Sequence, residues 1–172
     1  LIFSYIFTLF GCNKDEEAPS EYLNYQTITE LELPFTNEWF VVWGGHTLEE
    51  NYHASLVDQR FAFDIVQIEN GSTFIGNGTQ NEDYYCFADT LFAPGNGQVV
   101  EMENSINENI PGETNTENLF GNYVIIDHGT EEYSVLAHFM KNSIVVNVGD
   151  VVTQGQVIGL TGNSGNSTEP HL

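Results

Sequence analysis

Residues 121–129, GNYVIIDHG, and 133–139, YSVLAHF, decide the fold. Both runs are dense in Val, Ile, Tyr and Phe, residues that fit a pleated, half-buried surface, and Gly and Asp punctuate them. The same texture recurs outward in both directions: WFVVW at 39–43, RFAFDIVQI at 60–68, YYCFADTLF at 84–92, GQVVEM at 97–102, SIVVNV at 143–148 and QVIGL at 156–160. No eleven-residue window carries apolar residues at helical spacing. The expected fold is all-β, mainly antiparallel and hairpin-built, with long loops. The longest break, 103–118, is rich in Asn and Glu and reads as an exposed loop whose carboxylate spacing matches no EF-hand calcium loop.

The 172 residues suffice for one ordinary domain. With 41% hydrophobic residues a packed core is within reach, despite a net charge of −22 from 25 acidic and three basic residues. Such a surface repels phosphate backbones and anionic headgroups, which argues against nucleic-acid binding and against adsorption to a membrane surface. Residues 1–11 end an apolar run at Gly11-Cys12, too short for a bilayer-spanning helix and suited to a clipped signal peptide. LFGC is similar to a bacterial lipobox, so Cys12 is the expected lipidation site. CNKDEE after it is similar to an export tag of Gram-negative lipoproteins. Residues 12–33 then read as an acidic tether and 34–172 as the domain. The other cysteine, Cys86, lies between Tyr85 and Phe87 and reads as a buried small apolar residue.

Five histidines carry the chemistry: His46, His53, His128, His138 and His171. There is no H-E-x-x-H, nucleophile elbow, phosphate-binding loop or dinucleotide fingerprint. Strand alternation puts Phe61, Phe63 and Ile65 on one face and Ala62 and Asp64 on the other. A carboxylate in so apolar a strand costs several kcal/mol, on the order of a buried-ion penalty, unless it is paired. Arg60 and a bound cation are the two available partners. Alternation also places Ser134, Leu136 and His138 on one face, and would put the residue after Leu172 on the face of His171. His128, before a Gly turn, reads as structural.

Taken together, QRFAFDI, GNYVIIDHG, YSVLAHF and VNVGDVVTQGQVIGLTGNSGNSTEPHL resemble the lysostaphin/LytM-type zinc endopeptidases over about residues 40–172. The resemblance implies a barrel-sandwich-hybrid-like fold and Zn2+ as cofactor. It makes Asp64 and an upstream histidine metal ligands, and His138 and His171 the catalytic pair. Most members place that histidine four residues before the Asp, where Arg60 stands here. His53, in ENYHASLVDQRFAFD, is the choice in its place, and His46 the competitor. The third ligand falls one position beyond Leu172, so the chain is expected to be truncated and, as a fragment, inactive. The implied substrate is a peptide cross-link or stem of peptidoglycan. The implied location is the cell envelope of a Gram-negative bacterium, lipid-anchored in the outer membrane. Trp39, Phe40 and Trp43 either line the groove or pack in the core. Two other readings stand beside the enzyme. One is a non-catalytic LytM-like domain that binds or activates other wall hydrolases. The other is a lipoyl-type carrier, which lacks its hairpin-tip lysine.

Overall fold

The computed structural model describes residues 25–56, 59–129 and 131–172. The apolar run, Cys12 and most of the expected tether lie outside them. Among the described residues there is no α-helix, and every strand pair is antiparallel. Among these residues eight strands form three sheets: β1 (Phe40–Trp43) with β2 (Asp64–Val66), β3 (Thr90–Phe92) with β8 (Val157–Leu160), and a four-stranded sheet. The last is ordered β6 (Tyr133–Phe139), β5 (Asn122–Asp127), β4 (Gly97–Glu103), β7 (Val151–Val152). No helix among the described residues is long and apolar enough to cross a membrane.

The core lies between the four-stranded sheet and the β3–β8 pair. Val99, Val124, Ile126, Leu136, Phe139 and Val152 enter it from one side, Leu91 and Ile158 from the other. Each such side chain contributes roughly 1.5–3 kcal/mol on full burial. That offsets the self-repulsion of a −22 chain whose described cysteine, Cys86, is unpaired. β5 alternates with its even residues buried, as the sequence pattern requires. Its first inward position is Asn122 rather than an apolar residue. The side chain is fully buried and satisfied: Nδ2 donates to the Ile106 and Phe139 carbonyls, and Oδ1 accepts from Ile106 N.

Two features depart from the sequence pattern. Phe61 and Phe63 are half exposed, so the aromatic side of RFAFDIV is not core. The 104–118 segment is also less free than its composition suggests. Asn109 Nδ2 donates to the Gly165 and Ser167 carbonyls, Gly112 N to Thr168 O, and Asn115 N to Gly165 O. Glu108 accepts from Lys141 N and Asn163 N. The segment is therefore laced along residues 163–168. At the other end of the sheet Glu132 accepts from the backbone N–H groups of Ile28 and Thr29 at 2.8 and 2.7 Å, which holds the incoming chain.

Candidate metal centre

β2 is the middle of a three-stranded patch. β1 flanks it on one side. On the other, Leu172 exchanges both backbone hydrogen bonds with Ile65, at 2.8 and 3.0 Å. This pairing sets the last residues beside Asp64. The Asp64 Oδ1 atom is 3.7 Å from His53 Nε2 and 3.8 Å from His171 Nε2. His138 lies against His171 with ring centroids 4.6 Å apart and planes tilted by 49°. Four residues from distant parts of the chain thus meet in one place. His46 does not join them; it is exposed on the bend before the 3-10 turn. Arg60 does not pair with Asp64 either, since the ion pairs among the described residues are those two histidine contacts.

Each imidazole is held by its Nδ1. His53 Nδ1 meets Asn51 Oδ1 at 2.9 Å, His138 Nδ1 meets Ser164 O at 2.7 Å, and His171 Nδ1 meets Glu169 O at 2.8 Å. All three partners accept only, so Nδ1 carries the proton and Nε2 carries the lone pair. Ser167 Oγ stands 3.1 Å from His171 Nδ1 and donates to Asn163 Oδ1 or Glu169 O. Metal-binding histidines are oriented in this way by an oxygen on the far nitrogen.

His138 reaches the site through a β-bulge. Leu136 pairs with Val124 and Phe139 with Asn122, so β6 fits two residues, Ala137 and His138, against Tyr123 alone. His138 takes φ 62°, a left-handed conformation that costs on the order of 1–3 kcal/mol in a non-glycine residue. Simple alternation had placed His138 on the face of Leu136. The bulge removes it and gives Phe139 the inward position. Burial, then the neighbouring His171, push the His138 imidazole down to about 3, so it is neutral at physiological pH.

Aromatic residues wall one side. Trp43 meets Tyr52 edge-on at 5.3 Å, and Tyr52 lies over His53 at 3.9 Å with its hydroxyl 3.5 Å from Asp64 Oδ2. Burial and the Asp64 charge raise the Tyr52 phenol above its usual range. Trp39 instead stacks on Phe35. Cys86 is buried and donates to Pro170 O, and burial pushes its thiol up to about 12, which leaves an inert, unionised sulfur beneath the site. His128 bonds Asn96 O and Ser134 Oγ, a structural role.

The donor set fits a borderline-soft divalent ion: imidazole nitrogens and one carboxylate, with far-side oxygens in place. As they stand the donors are slightly open. Tetrahedral zinc with bonds of about 2.0–2.1 Å wants ligand atoms about 3.3 Å apart, against 3.7 Å between His53 Nε2 and Asp64 Oδ1. Among the described residues no three donors yet enclose an ion.

The family model for peptidase family M23 matches residues 82–172, a little over half of the chain. Over 52 residues the chain is 48% identical to the peptidoglycan DD-endopeptidase ShyA of Vibrio cholerae serotype O1, a match covering 30% of this chain and 12% of that protein. An uncharacterized metalloprotease of Haemophilus influenzae is 44% identical over 52 residues, 30% of this chain and 10% of the relative. The matched part is thus about a tenth of the length of these relatives. The SpoIIQ–SpoIIIAH pore forming complex contains a chain of the same fold, with TM-score 0.51 and 19% identity over 84% of this chain and 81% of that one. The family match takes in His138 and His171 and stops short of His53 and Asp64, which stand on geometry. The chain belongs to peptidase family M23.

Proposed function

We propose that this M23 chain is a zinc-dependent endopeptidase acting on peptide bonds of peptidoglycan cross-links or stems. The observation that carries the reading is the convergence of His53 and His171 on one oxygen of Asp64, each imidazole presenting Nε2. His53 and Asp64 are the ligands. A third donor would have to come alongside Asp64, where the Leu172–Ile65 ladder brings the 171–172 segment. When bound, zinc would supply Lewis acidity for water activation and carbonyl polarisation.

His171 is the general base. Its Nε2 lone pair takes the proton while Glu169 O and Ser167 Oγ hold Nδ1–H in place. His138 enters as a neutral acceptor, because its Nδ1–H is committed to Ser164 O. It becomes a donor to the leaving amine only by receiving the proton that the neighbouring His171 has taken from the attacking water. Trp43 and Tyr52 form an apolar wall suited to small, flexible peptides. The domain is carried to the cell envelope of a Gram-negative bacterium by lipidation at Cys12; loss of fatty-acid labelling in Cys12→Ser is the expected result.

The test is to load the natural gene product with zinc and follow release of soluble fragments from purified peptidoglycan. Failure to take up zinc, or full activity in Asp64→Ala, sinks the proposal. Zinc uptake without hydrolysis would leave a binding module.

A further inference from the structure

His53 and Asp64 are eleven residues apart, and among the described residues between them only the 3-10 turn Tyr52–Ser55 is regular structure before β2 begins. Something must bring the excursion back. The residue placed to do this is Asn51, which is fully buried although it sits in a loop. Its Oδ1 accepts from His53 N at 3.1 Å, capping the 3-10 turn Tyr52–Ser55, and from His53 Nδ1 at 2.9 Å. Its Nδ2 donates to Gly45 O at 3.2 Å and Ala62 O at 3.0 Å, with Arg60 O at 3.5 Å. The amide cannot be turned round, because that would face its oxygen with carbonyl oxygens and its NH2 with an N–H.

We propose that Asn51 is the positioning residue of the metal centre, a reading that rests on the proposed zinc site. One end fixes the His53 tautomer with Nδ1–H bonded and Nε2 free. The other ties the bend after β1 to Ala62, two residues before Asp64. One side chain therefore sets both the direction of the imidazole and its distance from the carboxylate. Where a ligand pair lies four residues apart no such knot is needed; at eleven the loop entropy must be overcome by specific contacts. Oxygen partners on the far nitrogen of a ligand histidine typically change metal affinity about 10–100-fold.

Two substitutions separate this role from simple capping. Asn51→Ser keeps an N-cap oxygen for His53 N but cannot also reach Nδ1 and the two carbonyls. Asn51→Asp keeps the acceptor for Nδ1. The natural gene product and both variants are titrated with zinc against a chelator, and the His53 ring nitrogens are read by NMR in the metal-free protein. Asn51→Ser is expected to bind zinc about 10–100-fold more weakly and to show both His53 tautomers. Asn51→Asp is expected to keep the single Nδ1–H tautomer. Zinc affinity within threefold of wild type in Asn51→Ser, together with one His53 tautomer, would overturn the proposal. If Asn51→Ser does not fold, mixed tautomers in Asn51→Asp would overturn it instead. A wild-type protein that takes up no zinc refutes the proposed function, and the tautomer measurement still decides the role of Asn51.

Discussion

Asp64 and His171, from opposite ends of the domain, place Oδ1 and Nε2 3.8 Å apart. His53 reaches the same oxygen at 3.7 Å from the other side. Asp64 lies against two imidazoles that each turn Nε2 toward it, an arrangement that a divalent cation would complete. Asp64→Asn, which keeps the shape and removes the charge, is therefore expected to reduce zinc content and peptidoglycan hydrolysis to background with the fold intact. Metal analysis of the purified variant reads this directly, and retained stoichiometric zinc would contradict it.

The near-equal distances leave His53 and His171 alike as seen from Asp64, yet their proposed roles differ. If His171 is the base, His171→Gln is expected to lower kcat by about 10²–10⁴-fold while zinc stays bound. His53→Gln is expected to lose both zinc and activity. Zinc content in the two variants, measured side by side, separates base from ligand; loss of metal in His171→Gln would make it a ligand.

The strands were legible in the letters because Val, Ile, Phe and Tyr runs with Gly and Asn breaks leave few alternatives to antiparallel pairing. Asp64 was legible as an anomaly, a charge in an apolar run. The aim of His138 was not, since a bulge shifts alternation by one residue and its signal lies in the register with Asn122 and Val124, two distant positions. Nor was the lacing of 104–118, where Asn and Glu side chains that look solvated bond backbone groups of 163–168. Asn51 could be found only as an N-cap type residue two positions before a histidine; its bonds to Gly45 and Ala62 come from tertiary structure.

Glu132 accepts two backbone N–H groups and the Thr29 hydroxyl, which hold its carboxyl well below the usual range, at about 2. A carboxyl lowered on folding contributes stability that is complete above its unfolded value, near 4.5, and lost as pH falls through about 2. The strap formed by residues 28–29 is therefore expected to stay docked from pH 5 upward. In Glu132→Gln the Ile28 and Thr29 amides are expected to exchange with solvent faster than in wild type, while Val124 and Ile126 in β5 are unchanged. Hydrogen-exchange mass spectrometry or NMR distinguishes the two segments, and unchanged protection at 28 and 29 would show that other contacts hold the strap.

Gly165 supports the site from below, where backbone packs on backbone. It has φ +86°, and a Cβ there would lie 2.3 Å from Gly121 N and 2.7 Å from Asn118 O. Ser164, its neighbour, supplies the carbonyl that orients His138. Gly155 has a similar φ of +78° but open space around a Cβ. Gly155→Ala therefore carries only the left-handed conformational cost, about 1–2 kcal/mol. Gly165→Ala adds overpacking, about 1–3 kcal/mol more, because the opposing atoms are main chain and cannot rotate away. Denaturant midpoints of the two variants isolate the packing contribution by difference. Gly165→Ala is further expected to broaden or shift the His138 ring signals, since the 121–165 contact and the Ser164 carbonyl move together. Equal destabilisation by the two substitutions, with His138 undisturbed, would mean that the loop yields without strain and that the close approach of Gly121 does not set the imidazole.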